Sequence, residues 1–144
     1  MNSTSGKTFV DTNVLIYAHN LDAGAKREAA RAVLAELWRE RSGILSMQVL
    51  QEFYVNVTRK IPVPISRNLA RSVVETYALW CVETSPAEIS AAFRIEDEAG
   101  ISFWDAMIVA CAVKGRAERI LSEDLNAGQR IAGVLIENPF AALR

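Results

Sequence analysis

Four carboxylates stand where apolar segments begin or end. Asp11 follows Thr8-Phe9-Val10, Glu52 lies inside a helical run, Asp105 opens Ala106-Met107-Ile108-Val109, and Asp124 follows Ile120-Leu121-Ser122-Glu123. Brought together by folding, these groups would make an oxygen cage for Mg²⁺ or Mn²⁺, since hard cations favour carboxylate and water oxygens. Coulomb's law weighs that condition. At an effective dielectric of about 20, two carboxylates roughly 4 Å apart repel by about 4 kcal/mol, while a whole fold is stable by only about 5–15 kcal/mol. A bare cluster is therefore disfavoured: either the four acids stay apart, or a divalent ion balances them.

Each acid also has a local explanation. Asp11 can cap the helix that follows it, and Ser102 with Asp105 has the S-x-x-D form of a capping box. Asp124 can sit in an Asx-turn, and Glu52 can be an ordinary solvated helix residue. The neighbouring residues favour a shared site. Asp11-Thr12-Asn13 passes directly from a β-prone run into apolar residues, so this turn must point into whatever cleft lies at the sheet edge.

The elements that must position these groups are readable from periodicity. Lys7 to Val10 predicts a strand and Asn13 to Asn20 a short helix; from Ala23 to Arg41, Ala30, Val33, Leu34, Leu37 and Trp38 recur at helical spacing, with Gly43 as the stop. Gly43 to Ser46 predicts a second strand, and Met47, Leu50, Phe53, Tyr54 and Val57 mark the apolar stripe of the next helix, which leaves Glu52 on another face. Pro62-Val63-Pro64 breaks that helix. Ser66 caps a helix to about Ala78, Leu79 to Val82 predicts a third strand, Ser85-Pro86 opens a helix to Ala99, and Ser102 opens an unusually apolar helix suited to the core. Arg119 to Ser122 and Gly133 to Ile136 supply the last strands. Alternating strands and helices predict an α/β layer fold with a mostly parallel sheet, in which ligands gather beyond the carboxyl ends of the strands.

The chain as a whole sets outer limits. Its 144 residues, 51% hydrophobic, fit one domain spanning 1–144, with residues 1–6 expected to be a flexible N-terminus. Sixteen basic against 17 acidic residues give a net charge of −1, so a polyanion must be bound locally rather than by overall attraction. Cys81 and Cys111 lie among apolar neighbours and read as buried thiols; with the single His19 they cannot build a structural zinc site. The first residues lack a signal-peptide pattern and no apolar stretch reaches 18 residues, so a cytoplasmic protein with no membrane association is expected.

Taken together, Asp11-Thr12-Asn13-Val14-Leu15-Ile16-Tyr17-Ala18, Gln51-Glu52-Phe53, Ile101-Ser102-Phe103-Trp104-Asp105-Ala106-Met107-Ile108-Val109-Ala110 and Ser122-Glu123-Asp124-Leu125 resemble the PIN-domain nucleases. The resemblance is closest to the toxins of VapBC toxin–antitoxin pairs, and it runs from about Thr8 to Phe140 in the same order. It implies a PIN-like three-layer α/β/α fold with a central, mostly parallel sheet, and an endoribonuclease dependent on Mg²⁺ or Mn²⁺. It carries the family's acidic positions, as catalytic residues and metal ligands, onto Asp11, Glu52, Asp105 and Asp124, with Thr12, Asn13 and Ser102 as supporting polar residues. Glu123 is a further acid that could serve beside Asp124. The resemblance also implies RNA as substrate, a cognate antitoxin and a homodimer.

Phosphodiester hydrolysis needs an activated water, an in-line approach to phosphorus and neutralised charge on the phosphoryl and leaving oxygens, all of which a metal held by carboxylates supplies. Asp11 and Asp105 are expected as main ligands, Asp124 as a further ligand, and Glu52 as ligand or orienter of the attacking water. Without metal, mutual repulsion is expected to raise at least one carboxylate pKa. Arg59, Lys60, Arg67, Arg71, Lys114, Arg116 and Arg130 are candidate phosphate contacts. The large apolar residues of Ala30 to Trp38 and of Phe53, Tyr54 and Ile61 are read either as core or as a face for a second copy or an antitoxin segment. An aspartyl phosphatase would place a second acid where Asn13 stands, and a receiver domain would want a lysine near Ser122-Glu123-Asp124. A noncatalytic RNA-binding or interaction module with the same fold is the alternative from another class.

Overall fold

A computed structural model describes residues 6–143. Five strands, β1 (Lys7–Val10), β2 (Gly43–Ile44), β3 (Ala117–Leu121), β4 (Arg130–Ile131) and β5 (Val134–Glu137), form one sheet in the order β2-β1-β3-β5-β4. All pairings are parallel except the antiparallel pair β4 and β5. Six α-helices accompany them: α1 (Thr12–Ala18), α2 (Ala25–Glu40), α3 (Met47–Val55), α4 (Arg67–Tyr77), α5 (Pro86–Ala99) and α6 (Phe103–Lys114). Thr8, Phe9 and Val10 alternate between the two faces of the sheet, yet all three are buried. Both faces are therefore covered, as an α/β/α arrangement requires.

The chain steps from β1 to β2 on one side, then returns to place β3 on the other side of β1. The order of strands thus switches between β1 and β3, and the crevice beyond their carboxyl ends is where such a sheet leaves room for a ligand. Register sharpens this. Val10 pairs with Leu121, and beyond them the Asp11 N–H donates to the Leu121 carbonyl at 3.0 Å while the Ser122 N–H donates to the Glu137 carbonyl at 2.9 Å. Asp11 and Ser122 are in this way set side by side at the sheet edge. The apolar α6 is a core helix as expected, with Ala106, Ile108, Val109, Ala110, Cys111 and Ala112 buried.

Several local expectations are corrected. Residues 1–5 of the stretch expected to be flexible lie outside the described residues. Helix α2 stops at Arg41, which takes the left-handed conformation with φ 57°, and not at Gly43. Gly43 instead lies in β2, where a Cβ would stand 2.5 Å from the Trp80 ring. Leu79 to Val82 is not a strand: Ala78–Trp80 forms a 3₁₀ turn, and only Cys81 bridges to Leu45. The Trp80 ring decides this, because it packs on Trp38 and Tyr77 at centroid distances of 4.6 and 4.8 Å and draws the backbone into a turn. Gly133 does not open β5 but forms, with Ala132, the two-residue turn of the β4–β5 hairpin; their φ values of 51° and 83° suit a type I′ turn. Cys111 is buried, whereas Cys81 is half-buried. No helix among the described residues is long and apolar enough to cross a membrane.

Because the space at Gly43 is filled by an indole locked in an aromatic cluster, Gly43→Ala is expected to destabilise the protein by about 1–3 kcal/mol, read from the urea midpoint. An unchanged midpoint would show that Trp80 yields freely.

Candidate active site

Asp11 is the centre of a chain of polar contacts. It is the N-cap of α1: its Oδ1 accepts from the Thr12 N–H at 2.7 Å, while its Oδ2 accepts from the Ser122 hydroxyl at 2.8 Å. Ser122 is itself fully buried and fixed from the other side, since its Oγ accepts from the backbone N–H groups of Asp124 and Leu125 at 3.1 and 3.2 Å. A hydroxyl so placed has its proton free only for Asp11. The capping role read from sequence is therefore real for Asp11; each of its oxygens accepts one of these bonds and keeps a second lone pair.

Helix α1 then links Asp11 to two other acids. Thr12 Oγ1 donates to Glu52 Oε1 at 2.7 Å, and Asn13 Nδ2 donates to Asp124 Oδ2 at 2.8 Å. Glu52 lies on the exposed face of α3, as its spacing predicts, and Asp124 is exposed on the loop after β3. Asp105, in the first turn of α6, makes no side-chain hydrogen bond to the other three acids but is close enough that its charge acts on Asp11. Ser102 is not turned to this network. Its hydroxyl accepts from the Asp105 N–H at 3.1 Å as the N-cap of α6, which orients the helix that carries Asp105. Only the serine half of the expected capping box forms, so the Asp105 carboxylate is left uncommitted.

Glu123 is drawn elsewhere. The Tyr17 hydroxyl donates to it at 2.6 Å and the Lys26 ammonium pairs with its other oxygen. Burial pushes its pKa up, but Lys26 and Tyr17 outweigh burial and hold it below the ordinary glutamate value. Glu123 is thus balanced by protein groups, in contrast to Asp11. Sequence reasoning passed over the supporting role of Ser122, whose signal was a buried hydroxyl residue at a strand end two positions before Asp124.

The Asp11 carboxyl is pushed up to about 6, first by burial and then by the charges of Asp124 and Asp105, against the lowering effect of the Ser122 and Thr12 hydrogen bonds. One raised carboxylate matches expectation, but desolvation rather than mutual repulsion is the leading cause. The residues fit a divalent cation in kind: the donors are hard carboxylate oxygens, and the most buried of them holds its charge at a cost that a cation would relieve. The cluster is open, since among the described residues no three acids form a ready-made cage. Side-chain rotation of the exposed Glu52 and Asp124 would be needed to close it.

A carboxyl raised from 3.8 to about 6 binds its proton more tightly in the folded state. Its stabilising contribution is complete below the unfolded value and is lost as pH rises through about 6, worth about 3 kcal/mol in full. In chelator at pH 7.5, Asp11→Asn is therefore expected to be more stable than the parent by about 1–2 kcal/mol, the loss of one hydrogen bond offsetting part of the gain. The advantage should vanish near pH 4. Denaturant midpoints at the two pH values test this, and a variant less stable at pH 7.5 would contradict it.

The comparisons with known proteins agree with this architecture. The PIN-domain profile matches residues 8–133. No curated protein matches by sequence. Among solved structures, FitAB bound to the IR36 DNA fragment superposes with a TM-score of 0.67 at 18% identity, covering 92% of this chain and 95% of that one. VapBC2 from Rickettsia felis, bound to a DNA fragment from its promoter, superposes with a TM-score of 0.60 at 16% identity, covering 91% and 97%. At these identities the superpositions establish the fold, while the profile spans most of the sequence. The chain belongs to the PIN-domain family, whose members are generally nucleases.

Proposed function

We propose that this protein is a divalent-metal-dependent endoribonuclease acting in the cytoplasm as the toxin of a toxin–antitoxin pair. The observation that carries the reading is the buried Asp11 carboxylate, raised to about 6 and flanked by the charges of Asp105 and Asp124. Asp11 and Asp105 would hold Mg²⁺ or Mn²⁺, with Asp124 and Glu52 completing the set. When bound, such an ion lowers the pKa of water, draws a phosphate into position and offsets charge developing on phosphoryl oxygens.

The chain's own residues divide the remaining work. Ser122 and the Thr12 N–H fix the rotation of Asp11. Asn13 holds Asp124 by one oxygen, which leaves the other free. Thr12 engages Glu52 Oε1, so Glu52 Oε2, approached among the described residues only by Gln48 at 3.5 Å, can orient an attacking water. His19 does not compete for the role of base: burial lowers its pKa, and its ring lies against Phe53 and the Leu15 carbonyl.

An antitoxin partner is supported by two of the structural neighbours, the FitAB and VapBC2 complexes. Of the apolar residues considered for a partner face, Phe53, Leu34 and Leu37 are core, so that expectation is redirected. A groove of about 630 Å³ between α3 and α4, lined by Met47, Leu50, Tyr54, Val55 and Val74 with Arg71 and Glu75 beside them, is the better candidate for an amphipathic segment or for the second copy of a homodimer.

Purified protein is expected to cleave total RNA in Mg²⁺ or Mn²⁺ and to stop in excess EDTA. Asp11→Asn and Asp105→Asn should remove most activity while remaining folded, and Thr12→Val should lose about 10–100-fold through misplacement of Glu52. Cleavage that persists unchanged in EDTA would overturn the metal mechanism, and binding without cleavage in both cations would favour the noncatalytic module.

A further inference from the structure

Of the seven scattered cations considered as phosphate contacts, three meet in one place. Arg59, Arg67 and Arg71 line a concave pocket of about 490 Å³ together with Tyr54 and Thr58. Among the described residues none of the three is paired with a carboxylate, although Lys26, Arg27, Arg39 and Arg119 all are. Glu75, one turn along α4 from Arg71, lines the adjoining groove but makes no ion pair with it. Like charges gathered without a paired carboxylate repel one another, so the cluster gains stability from an anion that enters it.

The pocket is also shaped. Arg71 Nε donates to the Tyr54 hydroxyl at 3.2 Å, and its guanidinium lies over the Tyr54 ring at 5.9 Å, which restrains the side chain before any ligand arrives. Arg59 reaches the pocket because α3 does not continue as an α-helix: Asn56–Lys60 is π-helical. On a regular helix Arg59, seven residues after Glu52, would share its face. The wider turn advances less per residue and swings Arg59 toward Tyr54 and α4. A π-helical segment is uncommon and often accompanies a functional site.

We infer that Arg59, Arg67 and Arg71 form a phosphate-binding subsite that grips the sugar–phosphate backbone of a polynucleotide at a distance from the acidic centre. Three guanidiniums present forked donors to phosphate oxygens, and the chain's overall charge of −1 leaves such local contacts as the means of holding a polyanion near carboxylates. Arg59 follows Glu52 by seven residues, at most roughly 10 Å along the axis even at the α-helical rise, so one strand can engage both. The assignment of that strand to the RNA being cut rests on the nuclease reading; the pocket's preference for phosphate does not.

The test uses the full chain carrying Asp105→Asn, so that RNA is bound but not cut, with a fluorescent single-stranded oligoribonucleotide of mixed sequence followed by anisotropy across salt concentrations. Replacing Arg59, Arg67 and Arg71 together by Ala is expected to weaken binding at least about tenfold and to flatten the slope of log affinity against log salt by about 2, at about 0.7 per lost contact. Arg59→Ala alone, at an exposed position, should flatten it by about 0.7 and guards against misfolding of the triple variant. Replacing Arg31, Arg39 and Arg94 removes the same charge elsewhere and should leave the affinity nearly intact. Equal losses in both triples, or none in either, would overturn the subsite. A polyglutamate peptide that needs the three arginines while RNA binding does not would likewise overturn it, in favour of a protein ligand. Arginine-dependent binding by a parent protein that cuts no RNA in Mn²⁺ would support the subsite and refute the nuclease reading.

Discussion

The carboxylate of Asp11 is buried at the carboxyl end of a parallel strand, where a charge is costly and must be held by something. Two hydrogen bonds, from Ser122 and the Thr12 backbone, hold it in place and lower its pKa, yet burial and two neighbouring acids still leave it at about 6. The contrast with Glu123 is instructive. That acid lies one residue from Asp124 and is balanced by Lys26 and Tyr17, so it belongs to the packing of the fold. Among the described residues Asp11 forms no such ion pair. Its environment is that of a group prepared for a counter-charge from outside the chain.

Much of the architecture serves to place this one group. The strand order switches between β1 and β3, the parallel register sets Asp11 beside Ser122, and α1 starts at once so that Thr12 and Asn13 extend to Glu52 and Asp124. Helix α6 brings Asp105 from the other part of the chain, and its buried face fixes that approach within the core. The supporting residues are small and hydrogen-bonded rather than charged. They orient the acids without neutralising them, which leaves the negative charge in place for the proposed cation.

The sequence made the skeleton of this site legible where chemistry and periodicity coincide. Asp11 follows a strand of four residues and precedes an apolar helix, and Asp105 opens a helix apolar on every side, patterns that a capping role alone would also fit. Trp80 was harder to read, because a β-prone run of Leu79-Trp80-Cys81-Val82 gives no hint that its ring packs tilted against Trp38 and edge-to-face with Tyr77. Arg41 adopts positive φ without being glycine, so the end of α2 lacked its usual marker, and the hairpin turn carried it only at Gly133, with Ala132 at positive φ before it. The π-helix was equally hidden. In three dimensions it is accompanied by Asn56 Nδ2 donating to the Glu52 carbonyl and Thr58 Oγ1 to the Tyr54 carbonyl, side-chain back-bonds of a kind that bends helices.

All of this rests on acids from opposite ends of the chain meeting one cation. Anomalous diffraction from crystals soaked in Mn²⁺ is the most direct measurement. The account requires a peak about 2.1 Å from carboxylate oxygens of both Asp11 and Asp105, lost in Asp11→Asn. Manganese bound only elsewhere, or bound to Asp11 with Asp105 turned away, would contradict it.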